Sequence, residues 1–109
     1  MNIEAVIIEH LRGFGFDAYA DVPKPRPERF VTVERTGGRS KYGIDYPTVA
    51  IQAWASTRYE ASELIKEVDS VMPNLVAHPE VNRCQRGNMY NYPDEDQARY
   101  QAVYDLVTY

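Results

Sequence analysis

Apolar positions recur at two different periods along this chain. Ile3, Val6, Ile7, Leu11 and Phe14 fall at helical spacing and predict a helix over Ile3–Arg12. Asn2 can cap its start, and Gly13 can take the left-handed turn that ends it. After a short extended piece, Asp17–Asp21, three prolines fall within five residues, Pro23 to Pro27. They force an extended connector or edge segment, because proline fixes φ and removes a donor. From Phe30 the period switches to two. Val31 and Val33 face one way in a strand Phe30–Arg35, and Phe30, Thr32 and Glu34 face the other. Thr36-Gly37-Gly38 reads as the turn after it, and the polar run Arg39–Pro47 as a projecting loop. A second strand, Thr48–Ala55, puts Val49, Ile51 and Ala53 on one face and Thr48, Gln52 and Trp54 on the other.

Thr57 and Glu60 then form a capping-box pair that starts a second helix. Ala61, Leu64, Ile65, Val68, Met72 and Leu75 make its apolar stripe, with a stop expected at Pro73. A weakly patterned strand at Val81–Tyr90, an acidic turn at Asn91–Gln97 and a β-rich closing strand Arg99–Thr108 complete the order. The fold class this implies is α+β: one domain over residues 1–109, a mostly antiparallel sheet of four to five strands, and two helices packed on one face.

The expected core face carries Val31, Val33, Val49, Ile51, Val103 and Val107. The opposite face then carries Phe30, Trp54, Tyr100, Tyr104 and Leu106 among Thr32, Glu34 and Gln52. A mixed aromatic and polar face has the composition of a protein interface. The alternative is that loops of the same chain cover these aromatics.

Composition narrows the function classes. With 109 residues the chain is sized for one core, and its 44% hydrophobic and 26% charged residues are those of a globular protein. A net charge of −4 disfavours tight nucleic-acid binding. The longest apolar run, Ala5–Ile8, predicts neither a membrane span nor a signal peptide. The single Cys84 allows no intramolecular disulfide and fits a reducing compartment. Nine Tyr against three Phe favours half-wet contact surfaces.

Candidate chemistry is sparse. His10 and His78 have no ligand cluster at metal-binding spacing, so no metal is expected. Cys84 lacks a partner His. Gly13-x-Gly15 and Gly37-Gly38 lack the strand–loop–helix context of a phosphate site, and Asp94-Glu95-Asp96 reads as a solvated turn. No nucleophile elbow is present, so neither an enzyme nor a cofactor is expected. The segment Thr36–Tyr46 is richer. Arg39 and Lys41 alternate with Tyr42 and Tyr46, with Asp45 between, which suits protein contact and less well base stacking.

Three patterns carry a family resemblance. Pro27, Phe30, Val31, Val33, Arg35, Gly37 and Gly38 fit P-x-x-F-V-x-V-x-R-x-G-G. Ala61, Leu64 and Val68 fit A-x-x-L-x-x-x-V, and Arg99, Tyr100, Gln101, Ala102 and Leu106 fit R-Y-Q-A-x-x-x-L. With them nearly the whole chain resembles the small tail-terminator and minor tail proteins of long-tailed bacteriophages and prophages. The resemblance implies a structural virion protein, assembled in the host cytoplasm and placed at the head–tail junction. It implies a ring, commonly a hexamer, that caps the tail tube, stops its polymerisation and offers the head–tail joining surface. The partners it implies are further copies of the chain, the tail-tube protein and a head–tail connector. DNA passes the lumen without specific binding, and an acidic lining suits that passage. Phe30, Trp54, Tyr100 and Tyr104 are then the expected subunit contacts. Arg39, Lys41, Tyr42 and Asp45 are the expected tube or connector contacts. A head-closure adaptor of similar fold is the neighbouring alternative, and a small nucleic-acid-binding regulatory module the more distant one.

Overall fold

A computed structural model describes residues 1–109. The chain runs α1 (Ile3–Gly13), β1 (Ala18–Tyr19), β2 (Phe30–Lys41), β3 (Ile44–Ala55), α2 (Arg58–Val71), a 3₁₀ helix (Met72–Ala77), β4 (Val81–Asn91) and β5 (Ala98–Thr108). The five strands lie in the order β1-β2-β3-β5-β4, antiparallel except for the parallel β1–β2 pair. The fold is α+β, as the periodicities imply.

Both helices start where their caps place them. Asn2 Oδ1 accepts from the Ala5 amide at 3.1 Å, and Thr57 Oγ1 accepts from the Glu60 amide at 3.1 Å. Gly13 is the last residue of α1, and the left-handed turn falls instead on Gly15, at φ 93°. Pro73 does not stop the chain's helical path. It sits in the first turn of the 3₁₀ helix, where its missing amide is no loss.

Ile3, Ile7 and Leu11 of α1 and Leu64, Ile65 and Val68 of α2 pack on Val31, Val33, Val49, Ile51 and Ala53 of the sheet. α1 lies over β1 and β2, α2 over β3 and β5, and the 3₁₀ helix over β4. His10 Nε2 spans the helical layer to the Val71 carbonyl at 2.8 Å.

Two expectations about the sheet change. Gly37 and Gly38 are not a turn. They follow a β-bulge between Arg35 and Gly37, and β2 continues to Lys41, with Gly38 opposite Pro47 and Arg39 opposite Tyr46. The expected loop is thus the outer half of a long hairpin, and its turn is Tyr42-Gly43. The second change is the phase of β5. Tyr100, Ala102, Tyr104, Leu106 and Thr108 face the helices, while Gln101, Val103, Asp105 and Val107 face away. A shift of one residue moves every side chain of a strand to the other face.

Candidate interaction surfaces

The face of the sheet away from the helices holds Phe30 and Trp54 opposite each other. Their rings stack at 5.4 Å and 7°. They are nevertheless interior groups, at 1% and 4% exposure. The proline-rich connector, together with the β4–β5 turn, covers them. The Arg26 guanidinium lies 5.2 Å from the Trp54 ring, and Arg99 lies 4.8 Å from Trp54 and 4.2 Å from Tyr92. Arg26 also donates to Asp94 at 3.2 Å, and Gln97 Nε2 donates to the carbonyls of Pro27 and Glu28. Asp94 sits below the usual carboxylate range, chiefly because the Asp96 amide donates to it, with Arg26 and Arg99 assisting. The connector is a strap tied at several points to the turn that precedes β5.

A single polar chain crosses four strands beneath and beside this strap. Trp54 Nε1 donates to Thr32 Oγ1 at 2.9 Å, and Thr32 Oγ1 donates to Gln52 Oε1 at 2.7 Å. Gln52 Nε2 donates to Gln101 Oε1 at 2.6 Å, and Gln101 Nε2 donates to the Tyr90 hydroxyl. All donations run the same way, so each bond polarises the next. Thr32, Gln52 and Gln101 are buried without an orphaned atom, which is the condition under which a polar interior is stable.

These facts change where the expected subunit contacts lie in the single chain. Phe30 and Trp54 are covered by the chain's own strap. Tyr104 lies on the helix side at 1% exposure, with its hydroxyl donating to Asp69 of α2 at 2.8 Å. Burial raises its pKa, and the Asp69 hydrogen bond raises it further. Tyr100 is half-buried against the helical core. None of the four forms an open patch on the free chain.

The hairpin end differs. α1's first turn meets β2 at Arg35, whose amide donates to Glu4 Oε2 at 3.0 Å, and every residue from Thr36 to Gly43 is exposed. Arg35 grips Asp45 with two bonds of 2.7 and 2.9 Å, and Ser40 adds a third at 2.8 Å. Arg35's bonds hold the Asp45 carboxyl below its usual range. Asp45 is therefore the internal brace of the hairpin. Arg39 lies 5.3 Å from the Tyr46 ring and Lys41 5.3 Å from the Tyr42 ring. Tyr42 stands at the apex with φ 53°, followed by Gly43 at φ 79°. Positive φ at both turn residues suits Asn-Gly, and a left-handed L-residue costs about 1–2 kcal/mol. The aromatic that bears this cost is 92% exposed and has no partner in the chain beyond Lys41.

Other features are plainer. Cys84 is half-buried and burial pushes its thiol up to about 11, which makes it a poor nucleophile. No cluster of three or more His, Cys, Asp or Glu stands close enough to hold a metal ion. No helix is long and apolar enough to cross a membrane. β4 is an exposed outer strand, kept irregular by two register shifts and charged by Arg83 and Arg86. A groove of about 550 Å³ separates the second half of α1 from the 3₁₀ helix.

The periodicities missed three things. The strap's position was not readable, because prolines specify an extended path but not what it lies on. The polar chain through Gln52 and Gln101 depends on the true phase of β5. The Arg35–Asp45 brace joins residues assigned to a strand and to a loop. No family model matches the chain, and no curated protein matches it.

Proposed function

We propose that this chain is a structural assembly protein: a phage or prophage tail terminator that forms a ring on the tail tube, stops tube growth and presents the head–tail joining surface. The observation that supports it most is the outer half of the β2–β3 hairpin. It carries an exposed aromatic in a costly conformation, flanked by two cations, on a braced two-stranded support. Strain of this kind persists where the surrounding structure holds a group for use. The sequence resemblance supplies the identity of the assembly, and the hairpin supplies the kind of surface such an assembly needs. On this reading further copies, the tube protein and a connector are the partners. The site is the virion's head–tail junction, reached from the host cytoplasm. DNA passes through the ring's lumen without specific binding, and a chain of net charge −4 is compatible with an acidic lining that lets it slide.

The test is capping. Tail-tube protein is polymerised with and without the purified chain, and tube lengths and ends are read by electron microscopy. Shortened tubes ending in a ring support the proposal. Unchanged tubes, with the chain bound instead to portal-bearing heads, shift the assignment to a head-closure adaptor. Binding to neither overturns both.

A further inference from the structure

The hairpin apex has a counterpart on the same molecule. The groove between α1 and the 3₁₀ helix is lined by Val6, Phe14 and Leu75, with Glu9, His10 and His78 among them. Its about 550 Å³ lies within the range of sites that enclose a bulky group. From these two features we infer that the Tyr42 apex of one copy docks into the α1–3₁₀ groove of a second copy. The inference rests on the ring-forming reading above and specifies its subunit contact.

Three observations favour a second copy as occupant. Tyr42 is presented at a cost in backbone strain and meets nothing in its own chain except the Lys41 ammonium. A tyrosine has an apolar body and a polar tip, and the groove offers both kinds of lining. His10 Nε2 faces the Val71 carbonyl, which only accepts, so Nε2 carries the proton and Nδ1 is left as an acceptor. His78 Nδ1 accepts from the Glu80 amide, so its Nε2 is left as a donor. The groove residues thus include one acceptor and one donor suited to a phenol. Charge also matches, because Arg39 and Lys41 flank the apex, neither in an ion pair, and Glu9 lines the groove without one. A knob on one part of a molecule and its socket on another make a heterologous contact, which closes into a ring if the rotation allows.

The experiment measures self-association by sedimentation velocity over a wide range of chain concentration, for the wild type and three variants. Tyr42→Asn removes the knob and relieves the turn, since asparagine tolerates the left-handed region. Gly13→Met fills the groove from a position where a Cβ meets nothing within 4 Å. Tyr42→Phe keeps the apolar body. Tyr42→Asn and Gly13→Met are each expected to weaken association at least about tenfold, as loss of a central anchor does, while thermal unfolding stays at or above the wild-type midpoint. Tyr42→Phe is expected to stay within about threefold, because most of the buried surface remains. Wild-type association by Tyr42→Asn, or a wild-type chain that is monomeric throughout, overturns the inference. A chain that assembles by this contact yet leaves tubes uncapped keeps the contact and removes the terminator reading. A chain that caps tubes while Tyr42→Asn assembles normally does the reverse.

Discussion

Replacing Trp54 separates an interior role from a contact role. The ring stacks on Phe30 at 5.4 Å, lies under Arg26 and Arg99, and donates to Thr32 at 2.9 Å. Truncating a buried tryptophan to alanine costs about 3–5 kcal/mol. That is a large part of the roughly 5–15 kcal/mol that holds a domain of this kind together. Trp54→Phe keeps a stack on Phe30 and loses the indole donor, so it is expected to cost about 1–2 kcal/mol. With a urea slope of about 2 kcal/mol per molar, a loss of 4 kcal/mol moves the midpoint down by about 2 M. Far-UV circular dichroism reads both variants at a chain concentration low enough to exclude assembly, because association stabilises by mass action. The wild type supplies a second readout. Trp54 is the chain's single tryptophan and is 4% exposed, so acrylamide should quench its emission weakly until the chain unfolds. A Trp54→Ala chain whose midpoint stays within about 0.3 M of wild type but no longer assembles refutes the reasoning, since a shift that small corresponds to well under 1 kcal/mol. It would return Trp54 to a surface between copies.

Three further outcomes follow from the same geometry. Gly38→Ala places a Cβ 2.2 Å from the Tyr46 carbonyl oxygen at φ 114°, so it should lower stability by at least about 2 kcal/mol, whereas Gly37→Ala, which meets nothing within 4 Å, should unfold with the wild type; thermal unfolding of the pair checks this. Asp45 has its folded-state pKa depressed by Arg35, so its stabilisation is present above the unfolded carboxylate value of about 3.9 and is lost as pH falls through the lower folded value; urea titrations from pH 6 downward should show a shallower acid loss in Asp45→Asn. Cys84, raised from 9.0 to about 11, should carry on the order of a hundredfold less thiolate at neutral pH than in the unfolded chain, so maleimide labelling should be slow until denaturant unfolds it, and rapid labelling of the native chain would contradict that burial.

How far the fold was legible depends on which patterns had a unique reading. The helices were readable because their stripes are bounded by caps that work, Asn2 and Thr57. β2 and β3 were readable because one face of each is uniformly aliphatic. β5 was ambiguous to an aliphatic count, since Val103 and Val107 lie on one face and Tyr104 and Leu106 on the other. Its polar residues carried the deciding signal. Arg99, Gln101 and Asp105 share a face with Val103 and Val107, whereas the other face, Tyr100, Ala102, Tyr104, Leu106 and Thr108, carries no charged or amide side chain. A buried tyrosine also needs an acceptor for its hydroxyl, and Asp69 on α2 provides one at 2.8 Å. Gly37-Gly38 resembled a turn because glycines permit one, yet the register beyond them is held by Arg39–Tyr46 and by the Arg35–Asp45 brace, which no local pattern encodes. The consequence reaches function. A composition of interface type on the outer sheet face proved to be an interior face under a strap. The most exposed aromatic the chain presents is therefore not on the sheet face but at the hairpin apex, where Tyr42 stands more open than Tyr59 or Tyr109 and, unlike them, holds a positive φ that burial does not offset. On the assembly reading proposed above, a group that is both strained and bare in the free chain is the one that gains most from a partner, which favours Tyr42 over Trp54 as the contact to test first.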